Sequence, residues 1–212
     1  TCVSLYRANR AKAVHLKDIF DVYVALWRKA EDSGAFVLYD GAATEGSGSF
    51  HPDPHQRGEP HPTIKITRSY YEDQATPSRE RNAGGAHLPS PDLLRETITL
   101  AHEYGHFLSW KERTPVGEWA AYFRVAKIRD DAWNAVPRRG SRDDLNDALR
   151  VAAREALSAD DIELIIAEEA RAWEIGRELL QDLGFDDFAS YDDRTRKGIH
   201  FHRYRLGLED LW

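Results

Sequence analysis

The chain has a single cysteine, no methionine and no long apolar run, and the first and last of these shortages each exclude a class of protein. One cysteine, Cys2, cannot build an internal disulfide framework, which fits a reducing compartment. No apolar segment approaches the roughly 20 residues that span a bilayer. The formal charge of −7 argues against a general affinity for nucleic acid or anionic membranes. These features predict a cytoplasmic protein that binds neither nucleic acid nor membrane, and they leave its oligomeric state open.

The N-terminus has no signal-peptide pattern. Because the chain begins at Thr1 and contains no methionine, we expect that it has been trimmed, and removal of a leader before Thr1 is compatible with that expectation. The 212 residues suit one domain, and a 42% apolar content is enough to bury a core.

Apolar periodicity predicts a small sheet in the first half of the chain. Residues 12–33 have the apolar stripe of an amphipathic helix. Residues 35–40 and 63–69 have the composition of strands, and 85–88 can add a short third strand. The intervening residues 41–62 are rich in glycine, proline and histidine, and we expect them to form a long loop.

The second half of the chain is predicted to be mainly helical. Three helices are predicted from their capping signals: Thr114 to about Val136, Ser141 to about Leu157, and Ser158 to about Leu183. Residues 185–212 are mixed in composition, and no element is predicted there. We therefore expect one α+β domain, with the sheet and a central helix over about residues 12–112 and a helical part over about 113–212.

The segment His102-Glu103-Tyr104-Gly105-His106 is the most informative motif in the chain. Two histidines four residues apart on a helix project from one face, so both imidazoles can bind one metal ion. Glu103 lies about 100° around the helix, from where it can act as a base towards a metal-activated water without competing for the metal. A zinc hydrolase needs this division of labour. The alternative is an ordinary surface helix that carries two unrelated histidines.

Independent signs predict that this motif lies on a helix. Ser90 is a favourable N-cap, Pro91 suits the first helical position, and Asp92 complements the helix dipole. Apolar residues then recur at helical spacing, at Leu94, Ile98, Ala101, Gly105 and Leu108.

A catalytic zinc site usually has three protein ligands and one open position. The extended pattern His-Glu-x-x-His-x-x-Gly-x-x-His fails here, since positions 109 and 112 are Ser and Glu. The helix after Ser158 has an apolar stripe interrupted by Glu169, and a carboxylate among core positions is costly unless it is paired or bound to a cation. Glu169 is therefore the candidate third ligand, whereas Glu168 lies about 100° off the stripe. The alternatives are that Glu169 pairs with a buried arginine or lies at the edge of a rotated helix.

These residues make the chain resemble the gluzincins, zinc peptidases with two histidines on one helix and a glutamate on a second. More narrowly, the segment His102–His106 and the pair Glu169-Ala170 resemble the motifs of the ImmA/IrrE-like metallopeptidases, over about residues 60–183. The resemblance implies a zincin-like fold and a peptide or protein substrate. It also implies Zn²⁺ ligands and a general base: His102, His106 and Glu169 as ligands, and Glu103 as the base.

We therefore expect a zinc-dependent peptidase, in which zinc polarises a peptide carbonyl and lowers the pKa of its bound water. Glu103 takes a proton from that water and passes it to the leaving amine. The alternative is a non-catalytic zincin-fold module that binds a protein partner and keeps a structural metal. Retention of Glu103 favours the enzyme, because a purely structural site needs no general base. A toxin or effector that acts on one host protein is a third hypothesis.

The histidine-rich segment near the C-terminus contains candidate donors for the oxyanion of the tetrahedral intermediate. His202 is the first candidate, followed by His200 and Tyr204. The alternative is that this segment forms a solvated basic surface.

Three histidines in the first half of the chain suggest a second metal site: His51, His55 and His61. Loops broken by proline seldom preorganise metal ligands, however. A polar surface loop is therefore the favoured interpretation of this segment.

Overall fold

Three short strands and six helices make up the part of the chain that the computed structural model describes, residues 19–40, 48–52, 62–67, 93–137 and 142–208. In chain order they are α1 (19–32), β1 (Phe36–Asp40), β2 (Gly48–His51), β3 (Thr63–Thr67), α2 (Leu93–Arg113), α3 (Glu118–Ala135), α4 (Arg142–Ala156), α5 (Ala159–Asp182) and α6 (Phe188–Arg205). The predicted α+β class with a small sheet and a mainly helical second half is confirmed. None of these helices is long and apolar enough to cross a membrane.

The three strands pair in the order β1–β3–β2, with β1 parallel and β2 antiparallel to the central β3. β1 and β3 lie where strands were predicted. β2 lies inside 41–62, so the prediction of an uninterrupted loop there was wrong. Its sequence, Gly-Ser-Phe-His, has one apolar residue and no alternation, and only pairing with β3 makes it a strand. The predicted strand at 85–88 and the start of the predicted helix at 12–18 lie outside the described residues.

Packing divides the described residues into two compact units. The first contains the residues up to Phe107 together with Ile175–Asp186, and the second contains Leu108–Glu174 and the residues from Asp187 onward. The division falls within α2 and within α5, each of which is one uninterrupted helix.

In the first unit, α2 is buried at every position from Glu96 to Phe107, rather than on the single apolar face that its sequence predicts. The hydroxyl of Tyr104 donates to the carbonyl oxygen of Lys29 in α1 at 2.9 Å and lies 2.6 Å from Oγ of Ser33. Burial raises the pKa of Tyr104, so this hydroxyl stays protonated as a donor. These contacts fix the axial position of the helix that carries the His-Glu motif.

The second unit has an apolar core formed by α3, α4, α5 and the end of α6. Its buried members are Val125, Ala153, Leu157, Ile162, Ile165, Ile166 and Leu206. Trp133 packs against this core, and its indole N–H donates to the carbonyl oxygen of Leu149 at 3.1 Å. The three predicted helices are present, although α3 begins at Glu118 because Gly117 ends the preceding turn with φ +79°.

Helix α6 covers a segment where the sequence predicted no element. Asp187 caps it by accepting a hydrogen bond from the backbone N–H of Ser190, at 3.1 Å. The helix buries few apolar side chains, Tyr191 and Tyr204 among them, so its apolar periodicity is weak. Packing of α6 against α5, through Tyr191 and Trp173, stabilises this helix although its own periodicity does not predict it.

Candidate metal centre

The histidine pair lies on α2, as the motif predicts. His102 and His106 are both buried, with 8% and 7% of their surfaces exposed. Their ring centroids are 4.6 Å apart and their planes meet at 70°. The four-residue spacing therefore brings both imidazoles to one face of a buried helix.

The predicted apolar stripe of α5 is confirmed, and Glu169 lies within it with 5% of its surface exposed. A capping box starts this helix: the N–H of Asp161 donates to Oγ of Ser158 at 3.2 Å, and the N–H of Ser158 donates to Oδ2 of Asp161 at 3.1 Å. Gly184, with φ +79°, follows its end. Local signals thus set the length and the buried face of the helix that presents Glu169.

His102, His106 and Glu169 form a buried group that can hold a metal ion. One ligand atom from each residue lies within 4.8 Å of the other two. Zinc bonds of about 2.1 Å at a tetrahedral angle separate donor atoms by roughly 3.4 Å, so small side-chain adjustments close the group around an ion. Two imidazole nitrogens and one carboxylate oxygen are also a donor set that catalytic zinc uses. The residues therefore fit a zinc ion by burial, spacing and chemistry.

Glu103 is also buried, but it does not belong to this group of three among the described residues. Its side chain packs against the backbone of β2. A Cβ atom at Gly48 would lie 2.4 Å from Cγ of Glu103 and 2.8 Å from its Oε1. A side chain at that position would collide with Glu103, and so β2, which the sequence did not predict, packs closely against the side chain of Glu103.

His202, the predicted oxyanion donor, lies on α6 with its Nε2 3.4 Å from Oε2 of Glu169. The sequence thus predicted a residue close to the candidate ligand without predicting the helix that carries it. Tyr204, one of the alternative oxyanion donors, has different surroundings from His202. It is buried, and the Arg150 guanidinium lies 4.5 Å from its ring centroid.

Contacts of Trp173, which lies one helical turn after Glu169, align α6 with α5. The hydroxyl of Tyr191 donates to the carbonyl oxygen of Trp173 at 2.5 Å. A Cβ atom at Gly198 would lie 3.0 Å from the Trp173 ring, so glycine allows the two helices to approach closely. Trp173 follows Glu169 by four residues and Gly198 precedes His202 by four, and the antiparallel pair therefore brings His202 to Glu169.

Glu168 is a buried residue that sequence reasoning missed. Its side chain is 0% exposed, and its Oε2 accepts hydrogen bonds from Nη1 of Arg113 at 2.5 Å and from Oγ of Ser109 at 3.1 Å. Glu168 thus pairs with Arg113, while the alternative that Glu169 pairs with a buried arginine stays a hypothesis, since the charge of the mostly buried Arg129 acts on Glu169. A signal was present, because Ser109 and Arg113 continue the helical stripe that contains His102 and His106.

Tyr122 on α3 is a second residue that the sequence did not single out. Burial raises the pKa of Tyr122 well above its ordinary value, and the charge of Glu169 raises it further. Its hydroxyl therefore stays protonated throughout the physiological range. It adds a neutral hydrogen-bond donor to the surroundings of Glu169.

The hypothesis of a second metal site concerns residues that are only partly described. Nε2 of His51 lies 3.0 Å from Oγ of Ser49, two residues away on β2. His55 and His61 lie outside the described residues. The contact of His51 is local, and it leaves the second site a hypothesis.

No protein-family model matches the chain, and neither a curated protein nor a solved structure is significantly similar to it. A functional conclusion therefore depends on the geometry of the site and on its chemistry.

Proposed function

We propose that this chain is a zinc-dependent peptidase with a zincin-like arrangement of the gluzincin type. The observation that carries the proposal is the buried group of His102, His106 and Glu169, with a second buried carboxylate, Glu103, next to the histidine pair in sequence. In this proposal the group of three holds the metal and Glu103 serves as the base.

When bound, zinc supplies a Lewis acid that polarises a carbonyl group and makes a water easier to deprotonate near neutral pH. The ligands are the two imidazoles and the Glu169 carboxylate, which leaves a fourth position open to solvent or substrate. The ligand set also explains why a carboxylate lies within the core-facing stripe of α5, since a buried anion is costly without a cation.

Glu103 takes the proton from the attacking water and delivers it to the leaving amine. Its close packing against Gly48 restricts the movement of the side chain, which favours a proton transfer that depends on distance. A structural metal site has no need of such a group, and the burial of Glu103 beside the histidines therefore supports a hydrolytic role.

His202 is the proposed donor to the oxyanion. Its imidazole is 30% exposed, whereas Glu169 beside it is 6% exposed at the side chain, so His202 lies on the solvent side of the candidate ligand. Its partial exposure leaves the imidazole accessible to a substrate carbonyl that enters from solvent. Hydrogen-bond donors preorganised at such a position stabilise developing negative charge.

The position of β2 supports an extended peptide as the substrate. Among the described strands β2 is at the end of the order β1–β3–β2, so it has one edge that β3 does not occupy. An edge strand can pair with an extended peptide through main-chain hydrogen bonds. Since Gly48 on β2 packs against Glu103, a peptide paired there would run past the proposed base.

The variant Glu103→Gln tests the proposal. We expect peptide hydrolysis to fall by roughly 10²–10⁴-fold, because the base is lost, while one zinc remains bound. Cleavage of a peptide library, measured with zinc content by elemental analysis, reports both quantities. Glu112→Gln on the same helix is the matched control and should retain activity. Hydrolysis by wild type should stop on chelation and return with zinc.

The non-catalytic alternative gives a different result in the same experiment. If wild type binds zinc stoichiometrically but cleaves neither the peptide library nor any protein in a proteomic cleavage profile, and Glu103→Gln behaves identically, the site is structural and the peptidase proposal is wrong. If wild type binds no zinc, both functions are excluded.

A further inference from the structure

Glu168 and Glu169 are consecutive carboxylates, and both are buried. Only Glu169 belongs to the candidate metal group. Two adjacent buried carboxylates on one helix are costly to desolvate, and a carboxylate with no structural or chemical task is rarely found in that position. Glu168 therefore calls for a physical explanation of its own.

The partners of Glu168 come from the last two turns of α2. Arg113 donates from Nη1 at 2.5 Å and Ser109 from Oγ at 3.1 Å, while the Arg113 Nε also donates to Glu118 at 3.2 Å. Arg113 is 18% exposed at the side chain. A mostly buried, charge-assisted pair of this kind has a defined geometry, unlike an exposed ion pair.

The four polar residues His102, His106, Ser109 and Arg113 follow one stripe of α2. At about 100° per residue they lie within roughly 60° of one another around the helix axis. The face of α2 that presents the histidines therefore also presents, one to two turns later, the groups that hold Glu168. The hydrogen bonds to Glu168 and the candidate metal group therefore use the same face of α2 and two adjacent residues of α5.

We propose that Glu168 is a positioning residue, which Ser109 and Arg113 hold so that the adjacent Glu169 is presented to the histidines in a metal-binding orientation. This inference rests on the proposed metal site. A helix held at residue 168 cannot rotate about its axis or slide without stretching the hydrogen bonds from Arg113 and Ser109. A ligand at residue 169 needs that restraint, because productive metal geometry tolerates displacements of only about 0.5 Å.

Arg113 has a second effect in this arrangement. Its positive charge balances the negative charge of Glu168, so Glu168 has little tendency to replace Glu169 as a metal ligand. The Arg113 guanidinium thus gives Glu168 a positioning role and leaves Glu169 to act as the ligand.

The test uses two variants and a matched control. Glu168→Gln removes the charge-assisted grip but leaves an uncompensated Arg113. The double variant Arg113→Met/Glu168→Met removes one positive and one negative charge together, so its net charge is unchanged and apolar packing replaces the pair. Glu112→Gln is the control, because Glu112 pairs with Arg171 between the same two helices, at 2.5 Å, with side chains 66% and 41% exposed.

Three quantities are measured on the full chain: the affinity for Zn²⁺ by chelator competition, the visible absorption spectrum of the Co²⁺-loaded protein, and the thermal unfolding of the metal-free protein. We expect a 10–100-fold loss of Zn²⁺ affinity in Glu168→Gln, the range typical of lost outer-shell partners. The double variant should unfold at or above the wild-type temperature, yet show at least a tenfold loss of Zn²⁺ affinity and an altered Co²⁺ spectrum. Glu112→Gln should match wild type in all three.

A double variant that is folded and has wild-type Zn²⁺ affinity and Co²⁺ spectrum would overturn the positioning role and leave the proposed metal site intact. Wild type that binds neither ion would instead remove the metal site itself. If Glu168→Gln does not fold, the double variant still decides the question, because its charges are balanced.

Discussion

Two successive parts of α2 meet two successive carboxylates of α5 with different chemistry. Ser109 and Arg113 hold Glu168 through a guanidinium, which is charged at every accessible pH. The group that contains Glu169 also contains the imidazoles of His102 and His106, which are charged only when protonated. Glu168 and Glu169 are 1% and 5% exposed, so burial does not distinguish them. Their neighbours do: Arg113 and Ser109 form hydrogen bonds to Glu168, whereas Glu169 is grouped with two histidines and also interacts with the charge of Arg129. The two histidines make Glu169 the better candidate for binding an external cation.

The largest effect that tests this difference is expected for Glu169→Gln. Because loss of an outer-shell partner typically costs 10–100-fold in metal affinity, loss of a ligand should cost more, roughly 100-fold or above. The measurement is a Zn²⁺ competition titration on Glu169→Gln and Glu168→Gln in parallel. If Glu168→Gln lost more affinity than Glu169→Gln, the assignment of ligand and positioning residue would be reversed.

A smaller effect, on catalysis alone, is expected for Gly48→Ala. The added Cβ would overlap the Glu103 side chain, so the proposed base must move while the two carboxylates of α5 keep their partners. Because a misplacement of about 1 Å can cost roughly 100-fold in rate, we expect kcat to fall by about 10–100-fold. Zn²⁺ affinity should stay within about twofold of wild type, since it does not depend on Glu103 as a ligand.

Ser49→Ala, one residue along β2, is the matched control and should retain most activity. Equal activity of Gly48→Ala and wild type would show that the close packing of β2 on Glu103 has no catalytic consequence.

The smallest effect is expected at the start of α5, where the capping box decides which residue begins the helix. Ser158→Ala should lower the free energy of unfolding by about 1 kcal/mol near neutral pH, because a backbone N–H loses its side-chain acceptor. Zn²⁺ affinity should be unaltered, so that the contrast between Glu168 and Glu169 persists. If Ser158→Ala instead lost Zn²⁺ affinity, the cap would also be needed to position Glu169.

The same cap predicts a pH dependence. Hydrogen bonds from Ser158 lower the pKa of Asp161 below its ordinary value. The stabilisation is therefore complete above that ordinary pKa and is lost as the pH falls through the lowered folded-state value. Thermal unfolding of Asp161→Asn should differ most from wild type near neutral pH and converge in acid. Asp160→Asn, also in the first turn, should show a smaller difference.

Much of the candidate site could be predicted because it follows from helical periodicity. The spacing of His102 and His106 and the interruption of the α5 stripe at Glu169 are local patterns, and the structure has both helices with those faces buried. His202 could be singled out by residue type, although α6 itself was missed. Its position next to Glu169 depends on the packing of α6 against α5, where Tyr191 donates to the carbonyl oxygen of Trp173.

Glu168 and Gly48 could not be predicted in the same way. Glu168 lies off the apolar stripe, and its burial depends on an arginine 55 residues earlier in the chain. Gly48 belongs to a strand with one apolar residue, and that strand exists through pairing with β3. Periodicity in a single segment contains no information on such partners.

The sequence by itself determined that α2 to α5 form, where α5 begins, and which of their faces carry imidazole and carboxylate groups, because capping and periodicity act over a few residues. Only the tertiary structure decided which of two neighbouring glutamates pairs with Arg113, and which backbone lies against Glu103. Those outcomes depend on contacts between segments that are distant in sequence, because a charge can be buried only where a partner from another segment compensates its desolvation.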